Sequence, residues 1–335
     1  MSAQLEVSVA LCTHNGARFL AEQVRSILDQ TELPAQVVLS DDASTDGSVE
    51  IVENMWAGLG IAAPSLTVLR NQSPLGVTGN FQQAVQACSS DLIALSDQDD
   101  VWAPDRIERM VARFDESPGL GLLFTDARLL DGAGVDLGAS LFEALEVSDN
   151  DLSKIRRGEA FGVFLRRNLV TGATVIFRRS LLDQALPFDP AWVHDEWLAV
   201  IAAAVSEVDW LPEKLVDYRQ HGCNEIGVTA PTLRYKVGRV LEPRGDRYSG
   251  LAERAEHLRT RLEALNVSPS ILIAASGKLR HQKFREQLPS NRLARAVPVL
   301  REAAIGHYAR FSSQGNLDVL RDLLQPDRRE GSRSI

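Results

Sequence analysis

Short apolar runs alternate with stretches of helical spacing through the first 130 residues, and each polar cluster follows an apolar run. Val7 to Cys12 is followed by Thr13-His14-Asn15-Gly16, and Val37 to Leu39 by Ser40-Asp41-Asp42. Leu92 to Leu95 runs into Asp97-Gln98-Asp99-Asp100. Between them, Ala17 to Asp29 sets Phe19, Leu20, Val24, Ile27 and Leu28 on one helical face. Further helices are predicted from about Gly47 to Trp56, with Asp46 as its cap, from Gly76 to Cys88, and from Pro104 to Phe114. Leu66 to Leu69 and Leu122 to Thr125 read as strands. Repeated strand–helix–strand units wind right-handed into a mostly parallel sheet, whose ligands bind beyond the C-terminal strand ends. Hydrophobic residues make up 44% of the chain and aromatics only 6%, a balance that suits buried parallel strands of Val, Leu, Ile and Ala.

Past Asp126 the pattern loosens. Asp131 to Asp151 reads as a loop or excursion. Thr174 to Phe177 reads as a strand and Glu196 to Val205 as a helix, followed by two short strands, Val208 to Leu211 and Lys214 to Tyr218. From about Thr232 only helical spacing remains: Leu251 to Leu265, Ile271 to Leu279, and Leu293 to Tyr308, where Pro298 should kink the helix or mark a new start. The expected organisation is an α/β domain over 1–229 and a helical region over 230–335, with a disordered tail over 328–335.

Composition excludes several classes. The net charge is −9, so nucleic acid is not an expected partner. Residues 230–335 nevertheless carry 20 Lys and Arg against 11 Asp and Glu. Those Arg-rich helices suggest either a solvated face, peripheral contact with an anionic membrane, or a homo-oligomer contact. The three cysteines, Cys12, Cys88 and Cys223, imply neither a disulfide framework nor a metal cluster. No run approaches the roughly 18 apolar residues of a membrane span, and Met1 to Glu6 is too polar for a signal peptide. The expected location is the cytoplasm, with attachment at the inner face of the membrane as the peripheral alternative.

Three carboxylates within Asp97-Gln98-Asp99-Asp100 repel one another, and a cation normally offsets that cost. A hard divalent ion, Mg²⁺ or Mn²⁺, takes a few carboxylate oxygens and shares the phosphate oxygens of a substrate. A polar turn before Trp102-Ala103-Pro104 is the plainer alternative.

Taken in order, six segments resemble family 2 inverting glycosyltransferases with the GT-A fold, and most closely their rhamnosyltransferase-like branch. They are Ala10-Leu-Cys-Thr-His-Asn-Gly16, Ser40-Asp-Asp-Ala-Ser-Thr-Asp-Gly47, Leu75-Gly-Val-Thr-Gly-Asn-Phe81, Ser96-Asp-Gln-Asp-Asp-Val-Trp102, His194-Asp-Glu-Trp197 and Tyr218-Arg-Gln-His-Gly222. They span about residues 7–228. The resemblance implies a Rossmann-like mixed α/β sheet flanked by helices, with a helical C-terminal appendage. It also implies a UDP- or dTDP-sugar donor, rhamnose among the sugars, and a glycan or lipid-linked glycan acceptor in cell-surface polysaccharide synthesis.

By the same resemblance, Asp97 contacts the donor ribose and Asp99 ligates the metal. Thr13, Asn15 and Arg18 would hold the nucleotide, Asp42 rather than Asp41 the base, and Asn80 a position near the nucleotide. Asn80 reads equally as a residue of a first helical turn. Asp195 would be the base that takes the acceptor proton, with Glu196 as the alternative and an N-cap as the structural reading. His221 would approach the metal or diphosphate, and Arg219 the diphosphate. His14 departs from the family, where an aromatic is usual. Two rival functions remain open. A nucleotidyltransferase also places acidic ligands on such a sheet, but it carries a basic Gly-rich loop that Thr13-His14-Asn15-Gly16 lacks. A catalytically silent nucleotide-sugar-binding scaffold would be expected to have lost Asp97, Asp99 or Asp195.

Overall fold

The structure is a computed structural model that describes residues 5–60, 63–221 and 244–326. The chain divides into two units, Met1–Ala160 with Leu169–Thr229, and Phe161–Asn168 with Ala230–Ile335. The boundary expected at 229/230, Cys223, Gly222 of the last motif and the tail 328–335 lie outside the described residues.

The first unit is built on β1 (Val7–Thr13), β2 (Gln36–Asp41), β3 (Ser65–Arg70), β4 (Leu92–Ser96), β5 (Val101–Trp102), β6 (Leu120–Asp131), β7 (Asp136–Ser140), β8 (Val175–Arg178) and β9 (Glu207–Gln220). They form one sheet in the order β3-β2-β1-β4-β8-β6-β9-β5, with β7 on β6. β1, β2, β3 and β4 pair in parallel, whereas β8 runs antiparallel between β4 and β6. The sheet is therefore mixed.

The helices of this part are α1 (Ala17–Leu28), α2 (Ser48–Ala57), α3 (Gly76–Ala87), α4 (Arg106–Glu116), α5 (Leu141–Ala144), α6 (Asp149–Lys154), α7 (Ala160–Arg166), α8 (Leu182–Ala185) and α9 (His194–Val205). α7 falls largely in the second unit. β1, β2 and β4 are buried along their whole length, as continuous apolar runs require when helices cover both faces. Val9, Leu11, Val24, Ile27, Val37, Leu39, Phe114 and Leu123 are wholly enclosed in one core cluster. Each such burial is worth about 1.5–3 kcal/mol.

Two segments differ from the sequence reading. Residues 131–151, expected as a loop, hold β7, α5 and the start of α6. Their Gly and Asp residues punctuate short elements: Ser140 and Glu143 close a capping box at α5. The two strands expected at 208–218 are one, β9, which pairs in parallel with β6. Register shifts against Thr125 and Asp126 absorb the Pro-containing middle that breaks the apolar pattern.

The second unit contains α10 (Arg247–Ala264), α11 (Pro269–Glu286), α12 (Arg292–Ala304), α13 (His307–Phe311) and α14 (Leu317–Leu324). It contains no strand among the described residues. α12 runs through Pro298 without a new start. Gly306, at φ +85°, separates α12 from α13. Its interior is unusually polar. Asp322 accepts hydrogen bonds from Tyr248, Tyr308 and Arg285, each at 2.7 Å. Glu302 accepts from His281 and His307 at 2.9 and 2.8 Å, closing that cluster on itself. No described helix is long and apolar enough to cross a membrane.

Candidate active site

The three polar clusters meet at the C-terminal edge of β1, β2 and β4, where parallel pairing brings Thr13 opposite Asp41 and Leu11 opposite Ser96. Gln98 fastens two of them. Its Oε1 accepts from Thr13 Oγ1 at 2.7 Å and from His14 N at 2.8 Å, and its Nε2 donates to His14 O at 3.2 Å. Gly16 makes room for this clasp, since a Cβ there would stand 2.2 Å from Gln98 Oε1. Asn15 takes a left-handed φ of +49°, and its Oδ1 accepts from Thr45 N at 2.9 Å. Asp46 accepts from Ala17 N and Ser48 N, tying the starts of α1 and α2 together. Arg18 lies exposed on α1, its guanidinium 4.7 Å from the Phe19 ring centre.

Two expected nucleotide contacts are engaged within the protein. Asn80 accepts from Ser40 Oγ at 2.7 Å and donates to Ser40 O at 3.0 Å, so its amide staples α3 to β2. Asp42 accepts from Leu75 N at 2.6 Å, Gly76 N at 3.0 Å and Asn71 Nδ2 at 3.3 Å, fixing the entrance of α3. Its neighbour behaves differently. Asp41 accepts from Ser44 N through one oxygen, while its Oδ1 is buried without a partner. At this strand end the unsatisfied acceptor belongs to Asp41.

The acidic turn is held from β9. Arg219 N donates to Asp100 Oδ1 at 3.0 Å, Arg219 Nε to Asp99 O at 2.9 Å, and Arg219 Nη2 to Glu22 at 2.8 Å. The guanidinium expected at a diphosphate is thus 5% exposed and clamps the turn. His221 Nε2 lies 2.7 Å from Asp99 Oδ2, and its ring stacks on Phe19 with centres 4.8 Å apart. Beneath them, Asp100 is buried with Oδ2 unpartnered. Burial, then Asp99 and Asp97, hold its carboxyl well above the usual range.

Asp97 is partly exposed, and its carboxylate makes no hydrogen bond among the described residues. Desolvation, followed by the charges of Asp99 and Asp195, pushes its carboxyl up to about 7. Asp195 lies in the first turn of α9, one residue inside its start, and accepts from Gly172 N at 2.9 Å and Glu196 N at 2.6 Å. Burial and then Glu196 push Asp195 up to about 7 as well. A Cβ on Gly172 would come 3.0 Å from His194 Nε2 and 3.6 Å from Asp195 Cβ, so a side chain there would crowd the imidazole beside the carboxylate.

Several participants had no role assigned from the sequence. Arg106, wholly buried, stacks 3.8 Å from the Trp102 ring centre and donates to Ala173 O at 2.9 Å. Burial lowers its guanidinium to about 9, and the charge of Asp100 opposes that shift. Tyr218 is buried, and after desolvation the charges of Asp97, Asp100, Asp99 and Asp195 are what hold its hydroxyl up. It marks the middle of the acidic cluster. His194 stacks on Phe81 at 3.9 Å, and burial alone takes it down to about 3, which makes its ring a weak base.

Residues 8–125 match the family model described as Glycosyl transferase family 2. Those residues are therefore similar to a family 2 glycosyltransferase domain. An uncharacterized glycosyltransferase of Nostoc sp. is 27% identical over 225 residues, which cover 66% of each chain. The match therefore spans slightly less than two thirds of that relative's length. Two solved structures are similar across 96% of the chain. Staphylococcus aureus TarS in complex with UDP-GlcNAc has a TM-score of 0.53, 18% identity and 90% of its own chain covered. The mannosyltransferase PcManGT of Pyrobaculum calidifontis, in complex with GDP-Man and Mn²⁺, has a TM-score of 0.52, 17% identity and 86% covered. The fold of the glycosyltransferase domain is thereby GT-A, a mixed sheet flanked by helices, with a helical C-terminal region following it.

Proposed function

We propose that the protein transfers a sugar, with inversion, from a nucleoside-diphosphate sugar to a hydroxyl of a glycan or lipid-linked glycan. The observation that carries this reading is the pair Asp97 and Asp195. These are two carboxyls pushed up to about 7 by burial, and Asp195 lies near enough to raise Asp97, at the sheet edge where such folds bind ligands. UDP-, GDP- and dTDP-sugars are the donor classes to try. The first two stand in the complexes of the structural neighbours, and rhamnose is the sugar favoured by the motif series.

The residues fit a divalent cation. Asp97 has an unengaged carboxylate, Asp99 sits against His221, and the carboxylates of the turn lie close enough to raise one another. Asp99 and His221 would hold the ion, with Asp97 toward the ribose. When bound, the ion would offset the charge on a leaving diphosphate. Arg219 and Gln98 keep the acidic turn and the Thr13–Gly16 loop in register, so the donor meets a preformed floor. Asp41 Oδ1 is the acceptor available to a base N–H, in place of Asp42. Asp195, oriented by Gly172 N and Glu196 N, takes the proton of the attacking hydroxyl.

Calorimetry with nucleoside diphosphates, with and without Mn²⁺, and donor turnover test this reading. Asp195→Asn should keep nucleotide binding and lose about 10²–10⁴-fold in turnover. Asp99→Ala should lose the metal-dependent part of binding. Absence of nucleotide binding in wild type under either condition would reject transfer, and nucleotide binding without turnover of any donor would favour the silent scaffold.

A further inference from the structure

α14 is built inside out. Its buried side chains are Asp318, Arg321 and Asp322, whereas Leu317, Leu320 and Leu324 are about half exposed. The polar side is required inside, because Asp322 anchors Tyr248, Tyr308 and Arg285. α12 repeats the arrangement. Arg295 is wholly buried and donates to the carbonyls of Ser290, Asp322 and Gln325. Leu293, Val297 and Leu300, spaced to share one helical face, are 86%, 76% and 56% exposed. Val299 and Ala303 of α12 and Val319 and Leu323 of α14 pack on a single small cluster, so the two helices are neighbours. Half of the exposed large apolar side chains among the described residues fall between 293 and 324.

Isolated surface leucines need no explanation, but two adjacent helices that both turn apolar side chains outward mark an interaction surface. Its rim is cationic. On the wheel of α12, Arg292 and Arg301 flank the Leu293–Val297–Leu300 stripe on either side, and Arg310 of the following helix α13 is exposed. None of the three forms an ion pair among the described residues.

We propose that this face of α12 and α14 docks on an anionic lipid bilayer, its leucines entering the acyl boundary and its arginines meeting lipid phosphates. An apolar stripe edged by arginine is the pattern of helices that lie in the bilayer interface. A second copy of the chain is the poorer occupant. A two-fold contact is self-complementary only where a patch suits itself, and this one would bring arginine rims together.

The test is flotation of the full chain with vesicles of phosphatidylcholine, alone or mixed with phosphatidylglycerol. It does not depend on turnover, and Asp195→Asn should float like wild type. The expected result is binding to the anionic vesicles that weakens with added salt. It should fall at least about tenfold in the triple variant Leu293→Gln/Val297→Gln/Leu300→Gln and in Arg292→Glu/Arg301→Glu. All five positions are exposed, and matching circular-dichroism melts would show that the fold is kept. No binding to anionic vesicles, or undiminished binding of the triple variant, would overturn the proposal. So would a wild-type dimer in sedimentation that the triple variant dissociates, which makes the occupant a second copy.

Discussion

Asp195 shows how one side chain couples chemistry to stability. As the base it must be ionised, so kcat/KM should rise with pH through about 7, the value to which burial lifts it, and level off above. Stability has the opposite sign. A carboxyl raised from its ordinary 3.8 to about 7 binds its proton more tightly when folded. Its contribution is therefore fully present below the ordinary value and is lost as pH rises through about 7. Thermal melts of the apo protein at a series of pH values should show that decline, and Asp195→Asn should make it shallower. Arg106 supplies a second test. Replacing it with leucine leaves the buried Ala173 carbonyl without the Arg106 donor, which should cost about 1–3 kcal/mol in urea unfolding. Arg106 works through its sequence neighbours Trp102 and Asp100 together with Ala173, which only the folded chain brings to it.

At the scale of elements, close approaches decide more than propensity does. Gly277 lies within α11, where alanine would ordinarily favour the helix by about 1 kcal/mol. A Cβ there would stand 2.5 Å from Phe311 Cζ of α13, and Phe311 is buried. Overpacking of this kind costs about 1–3 kcal/mol. Gly277→Ala should therefore destabilise the protein in chemical denaturation despite its better propensity. If it stabilises, the contact between α11 and α13 is looser than described. The same distinction separates the legible elements from the others. β1, β2 and β4 announce themselves because strands buried on both faces carry unbroken apolar stretches, such as Val9–Cys12, Val37–Leu39 and Leu92–Leu95. β9 is interrupted by Pro212 and alternates in burial, so its continuity depends on the hydrogen bonds to β6.

For the molecule as a whole, nucleotide and metal should act by mass action. A ligand at 100 times its dissociation constant stabilises the folded state by about 2.7 kcal/mol. Mn²⁺ with the preferred nucleoside diphosphate should therefore raise the melting temperature of wild type, and the metal-dependent part of that rise should vanish in Asp99→Ala. An identical shift in both proteins would place the binding away from the acidic turn. The sequence by itself determined the alternating α/β plan, the edge where the carboxylates gather and the helical character of the described C-terminal region. Those properties follow from local periodicity and from strand ends that must be polar. Tertiary structure decided which polar groups are left over. Asp42 and Asn80 are consumed by the packing of α3, Asp41 keeps an unsatisfied oxygen, and Arg219 turns inward to hold the acidic turn. A motif fixes the type of a side chain, but its hydrogen-bond capacity is divided among neighbours that are distant in sequence, and only the fold makes that division.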